Sequence, residues 1–230
     1  MKGILFTEIL FNKTIRKEKT MTRRAPASLK VINKSPDDFI GFYHPIEEYF
    51  YASNGEGIDL KIAPTYKLGE VVYIKEPVAM YRYRQYHKGV VSDVVIPAYK
   101  YGLPHHRAIV YMPDGPRIIP NEHLIWQNKM FVGSDRARYY IRITSVKVER
   151  LYDISDEDCL KEGISTIGSH AAGDKAYFDY QLNGMYLKTP QESFFSLFRY
   201  ANRVPKSKEI PNIWCFAYSY VLCDKEGNEL

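Results

Sequence analysis

Lys17-Glu18-Lys19-Thr20-Met21-Thr22-Arg23-Arg24 sets two lysines, two arginines and two threonine hydroxyls within eight residues. It follows a short helical pattern, in which Thr7 is a plausible N-cap and Ile9, Leu10, Phe11 and Ile15 are the apolar positions, with the helix ending near Lys17. Residues 1–30 hold eight of the chain's 32 Lys and Arg against only Glu8 and Glu18, a net charge of +6, whereas the other 200 residues balance to −1. The chain's positive charge is therefore local, and a local knot of cations favours binding an anion over general solubility. In an extended segment Thr20 and Thr22 share one face, and Lys19 and Arg23 the other. If the segment bends, Lys19 reaches Thr22, giving an amine–hydroxyl pair suited to acyl chemistry. Bringing a lysine amine near neutrality costs about 4 kcal/mol, which burial and the adjacent arginines can supply. The simpler alternative is a basic strand or phosphate-binding patch without chemistry.

With 230 residues, 45% apolar and 26% charged, the chain is long and apolar enough for a full core and is not a disordered sequence. It has no apolar run of about 18 residues, so no membrane partner is expected. Its start turns polar at Thr7 without a cleavage site, unlike a signal peptide. Cys159, Cys215 and Cys223 show no CxxC spacing, which points to reduced, buried thiols and a cytoplasmic setting. His105-His106 lacks a partner at ligand spacing, so neither a metal site nor a cofactor is expected.

No repeat or low-complexity linker interrupts the chain, which reads as one domain over residues 1–230 with insertions at about 31–60 and 80–125. Gly3 to Phe6 reads as a strand, and Ser53-Asn54-Gly55-Glu56-Gly57 as a hairpin turn between aromatic strands. Tyr66 to Glu70 forms a turn feeding Val71 to Ile74, and residues 80–125 read as short strands with a turn at Pro113-Asp114-Gly115. Ser155-x-x-Asp158 opens a short helix that Gly163 closes, while Thr189-Pro190-Gln191-Glu192 supplies a cap, an N1 proline and a capping box. Ile213 to Leu222 reads as a closing strand. Strands outnumber helices, so the class is α+β with a curved or barrel-like sheet.

Two further groups carry possible chemistry. Glu162 ends the short helix, where the negative end of the helix dipole disfavours another negative charge, which suits a general acid. Tyr81-Arg82-Tyr83-Arg84-Gln85-Tyr86-His87-Lys88 alternates rings and cations, placing Arg82 and Arg84 where phosphates could pair while bases stack on tyrosines. A half-buried strand with its tyrosines inward fits the same pattern.

Together these residues resemble the ASCH family, whose PUA-like fold is a small β-barrel with flanking short helices. The family motif is a glycine, any residue, a lysine, four residues and an arginine, just after the first helix. Lys19 and Arg24 match it, and Lys17 stands where the family has glycine. Tyr66 to Glu76, Trp126 to Ile143, Arg150 to Gly163 and Ser193 to Val221 also look like phage and prophage members. The resemblance implies a protein that binds RNA or a modified nucleoside; the candidate phosphate-binding residues are Thr20, Arg23 and Arg24 of the basic stretch, with Arg82 and Arg84 from the alternation of rings and cations, which lies outside the resemblance. It also resembles a bacterial branch of amidohydrolases that deacetylate acetylcytidine. By that resemblance Thr22 would be the nucleophile, Lys19 its base and Glu162 the proton donor. A non-catalytic adaptor in phage assembly is the third reading.

Overall fold

A computed structural model describes residues 1–87, 90–100, 107–112, 115–120, 124–169, 175–181 and 186–230. Along the chain, strand β1 (Gly3–Leu5) leads to helix α1 (Glu8–Ile15) and strand β2 (Met21–Arg24). Three short strands follow, β3 (Ile40–His44), β4 (Tyr49–Ser53) and β5 (Asp59–Ile62), and then β6 (Val71–Lys75). Next come β7 (Val78–His87), β8 (Val90–Tyr99), β9 (Arg107–Met112), β10 (Gly115–Pro120) and β11 (Trp126–Gln127). The long strand β12 (Tyr140–Arg150) precedes helix α2 (Asp156–Lys161) and strands β13 (Thr166–Ser169), β14 (Lys175–Phe178) and β15 (Tyr186–Leu187). Helix α3 (Pro190–Asn202) and strand β16 (Trp214–Cys223) complete the chain.

These elements form two compact units, each built from separated stretches of sequence. The first comprises residues 1–15, 71–141 and 223–230, and the second residues 16–70 and 142–222. The fold is mixed α+β with a majority of strands. Among the described residues its sheets stay open and none closes into a barrel. Each expected insertion makes a sheet of its own, instead of adding strands that would close the first one.

In the first unit β1 runs parallel to β6, pairing Gly3 with Tyr73. A side chain at Gly3 would meet the Tyr73 ring and the Lys75 stem at 2.5 Å, so the close approach requires glycine here. Val72 and Ile74 are buried from β6, and Phe11 from α1 packs edge-on against Tyr139. The second sheet has the order β10-β9-β8-β7-β11. Its central strands β7 and β8 each run ten residues, longer than the short strands the sequence suggests. Ala79, Ala98, Ala108 and Val110 form its inner core, with Tyr81 packed against them. Arg138 chelates the buried Glu76 with two nitrogens and lies over the Tyr99 ring at 4.4 Å.

In the second unit β2 pairs antiparallel with β16, setting Thr22 opposite Tyr218 and Arg23 opposite Ala217. On the far side of β16 lies β12. Phe50 of β4 is fully buried against Trp214 and Phe216 of β16, which holds the β3-β4-β5 sheet down by its inner face. The side chain of Asn33 bonds both backbone groups of Trp214, and Arg150 lies over that indole while bonding Pro36, Asp37 and Asn212. The α3 capping box forms as the sequence indicates: Thr189 accepts from the Glu192 amide, and Glu192 accepts from the Thr189 amide. Helix α3 buries Phe194 and Leu197 and packs against α2 and β14.

Candidate functional site

The residues that bring this site together lie in the second unit, where α2 ends beside β2. Helix α2 starts at Ser155, whose hydroxyl accepts from the Asp158 amide at 3.1 Å, and stops at Gly163, which takes φ 93°. Glu162 is its C-cap. The chain reaches β2 through Lys17, which adopts φ 60°, a left-handed conformation that ordinarily favours glycine. That left-handed residue turns the chain out of α1, and the Thr20 amide then donates to the Lys161 carbonyl at 2.9 Å.

Lys19 is thereby delivered, fully buried, to Glu162. Its ammonium donates to Glu162 Oε2 at 2.6 Å, to the Glu162 carbonyl at 2.9 Å and to the Met21 carbonyl at 2.6 Å. Burial lowers its proton affinity below that of an ordinary lysine; Glu162 opposes this, and Arg24 and Arg23 add to it.

Arg23 shares the face of Lys19. Its guanidinium donates to Glu162 Oε1 at 3.1 Å, to Asp158 Oδ2 at 3.1 Å and to Glu149 Oε1 at 2.6 Å. Two cations thus meet three carboxylates, and the Lys161 ammonium stands 3.7 Å from Asp158. Burial works against the Arg23 charge, but Glu162 and Glu149 more than offset it and hold the guanidinium in its cationic form. Glu162 was expected as a proton donor at a helix end, and both of its carboxylate oxygens here accept from cations.

Arg23 was also expected to bind phosphate. Its side chain is only 2% exposed and is engaged by carboxylates, so the geometry makes it the organiser of this network and not a surface anion ligand. Thr22 is buried, but strand alternation turns it away from Arg23 to the side of Tyr218, whose hydroxyl accepts from the Thr65 amide at 3.0 Å. Arg24 lies on that same side, and Thr20 is held by its backbone between Lys161 and Tyr220. Arg82 is exposed on β7 of the first unit, whereas the side chain of Arg84 lies outside the described residues.

Glu149 and Asp158 are the members of the cluster that motif reasoning missed. Asp158 stands four residues before Glu162, so both point from one face of α2, a spacing readable in the sequence. Glu149 arrives from β12 with no local signal. Cys215 also faces Arg23, and burial pushes its thiol up to about 12. All three cysteines are free and buried. Among the described residues no group of His, Cys, Asp and Glu could hold a metal ion, and no helix is long and apolar enough to cross a membrane.

No protein-family model, curated protein or solved structure matches this chain.

Proposed function

We propose that the second unit is a nucleotide- or modified-base-binding module of ASCH type, PUA-like in its folding plan, with the Lys19–Glu162 pair as the floor of its pocket. What supports this reading is one observation: the motif lysine Lys19 and the helix-end Glu162, 143 positions apart, are held 2.6 Å apart in a buried contact. Stability alone is a poor reason for such a contact. Desolvating an ion pair cancels much of its attraction, and an apolar pair of similar volume often stabilises as well or better. A fixed, dry polar floor is useful for recognising a base edge or an amide. Calorimetric titration with cytidine, acetylcytidine and a short single-stranded RNA tests the reading. Saturable binding of one of them, weakened by Glu162→Gln in a variant that keeps the parent's melting temperature, supports it, and absence of binding to all three contradicts it.

The second reading is an amidohydrolase that deacylates a modified cytidine. The lowered proton affinity of Lys19 favours it, because a lysine base must lose its proton. The turn of Thr22 toward Tyr218 counts against a direct Lys19–Thr22 relay. Chromatography of acetylcytidine after incubation with the protein distinguishes the two readings, since turnover abolished by Thr22→Val requires the hydrolase.

A further inference from the structure

The β3-β4-β5 sheet of the second unit has one covered face and one open face. The covered face carries Phe50, buried against Trp214 and Phe216. On the open face, antiparallel pairing sets Phe42, Tyr51 and Lys61 in one cross-strand row and Ile40, Ser53 and Asp59 in the next. Ile40 is 77% exposed and Phe42 61%, and a groove of about 660 Å³ runs over both rows. Isolated exposed apolar residues are ordinary, but two large ones side by side over a groove mark an interaction surface.

The open face is already ordered. The Phe42 and Tyr51 rings stack at 5.5 Å, and Lys61 lies 4.2 Å over the Tyr49 ring. Asp59 and Lys61, two residues apart on β5, are both exposed, so the two rows carry one negative and one positive charge. Lys61 also bonds Glu47 at 3.0 Å, and that exposed pair leaves ammonium protons for a second acceptor. Balanced rows give no electrostatic preference to a polyanion such as a nucleic acid, nor to a strongly basic or acidic segment. They fit a surface that carries the same two charges in reversed order.

The rows themselves supply that surface. When a second copy packs face to face about a two-fold axis that runs across the strands, between the two rows, each row lies against the other row of its mate. Lys61 then faces Asp59 of the second copy, Phe42 faces Ile40 and Tyr51 faces the small Ser53, and each contact occurs twice. A two-fold axis along the strands would instead set β3 against β5, with Phe42 on Lys61 and Ile40 on Asp59. Only the first arrangement pairs opposite charges with each other and apolar groups with apolar groups. It also runs the strands of the two sheets antiparallel and nearly aligned, a packing that paired sheets ordinarily adopt.

We propose that this face is a self-docking surface, through which two copies of the chain form a two-fold dimer. Two Lys61–Asp59 ion pairs along β5 and two Phe42–Ile40 contacts along β3 hold the copies in register. Three short strands make a contact smaller than a standard protein interface, so the dimer is weak, with half-association at about 10–100 µM. The surface uses none of the residues of the Lys19–Glu162 cluster and does not depend on the nucleoside reading.

Sedimentation equilibrium of the full chain over about 1–500 µM tests the proposal. The parent should dimerise, and less tightly as salt rises. Asp59→Lys and Lys61→Asp each set like charges against each other in both pairs, and each should weaken the dimer about tenfold. An equimolar mixture of these two variants should associate at least as tightly as the parent, because the mixed dimer restores opposite charges in both pairs. Ile40→Ser/Phe42→Ser should also cost about tenfold. All of these positions are exposed, so the variants should keep the parent's circular dichroism and melting temperature. A parent that stays monomeric throughout this range, whether or not it binds oligouridylate or a basic peptide, would overturn the proposal. So would a dimer indifferent to the substitutions, or a mixture that associates no better than either variant alone.

Discussion

Lys19 Nζ lies 2.6 Å from Glu162 Oε2, and it donates its two other protons to the carbonyls of Met21 and Glu162 itself. All three ammonium protons therefore have acceptors inside the protein, which makes Lys19 a fixed element of the structure. Replacing it with methionine removes one partner of a buried pair and leaves the carboxylate to Arg23 alone. Lys19→Met should cost about 3–5 kcal/mol in urea unfolding. The double variant Lys19→Met/Glu162→Gln should recover a large part of that loss. If the single variant is as stable as the parent, the burial of this charge pair is wrong.

Lys17 provides an independent check on the approach to the site. It takes φ 60°, a conformation that a side chain disfavours by about 1–2 kcal/mol. Lys17→Gly removes that strain at the cost of greater freedom in the unfolded chain, and the balance should be a gain of about 0.5–1 kcal/mol in the denaturation midpoint. A lower midpoint would show that the lysine side chain contributes more than the strain costs.

Much of the local architecture is legible from residue spacing. Thr189 and Glu192 announce the start of α3, Ser155 and Gly163 bracket α2, and the glycines at 55 and 57 do turn the hairpin between β4 and β5, with φ 73° and 97°. These are short-range signals, carried by one side chain bonding a backbone group a few residues away. The counter-charges of the site are not of that kind. Arg23 meets Glu149 across 126 positions of chain, and nothing near either residue announces the pairing. A stretch read from sequence as a local knot of positive charge consequently has Lys19 and Arg23 buried against carboxylates. The ten-residue length of β7 and β8 was hidden for a similar reason, since it is their mutual pairing from Val78↔Tyr99 to His87↔Val90 that extends them.

The α3 cap permits a quantitative test of such a local signal. Thr189→Ala removes the acceptor for the Glu192 amide and should cost about 1 kcal/mol. Urea denaturation reads this directly. An unchanged midpoint would mean that solvent replaces the cap without loss.

The cysteines set a limit on alkaline stability. Burial pushes the Cys159 and Cys215 thiols up to about 12 from an ordinary value of 9.0. The native state thus holds these protons after the unfolded chain has released them. Their contribution to stability is complete below pH 9 and is lost as pH rises toward 12. Between pH 8 and pH 10.5 the urea midpoint of Cys215→Ala should fall less steeply than that of the parent. Native thiols should also react slowly with a disulfide reagent at pH 8 and rapidly once urea unfolds the chain. Parallel pH slopes, or fast reaction in the native state, would contradict the burial of these thiols.

Because Lys19 is fully buried and its ammonium is held by three acceptors, its proton resonances should exchange slowly enough to be followed in protein labelled at lysine nitrogen. Titrating cytidine and acetylcytidine while recording that signal tests directly whether the Lys19–Glu162 pair forms the floor of a nucleoside site. The account predicts a saturable shift of the Lys19 resonance with at least one of the two. A Lys19 signal that neither nucleoside moves would contradict it.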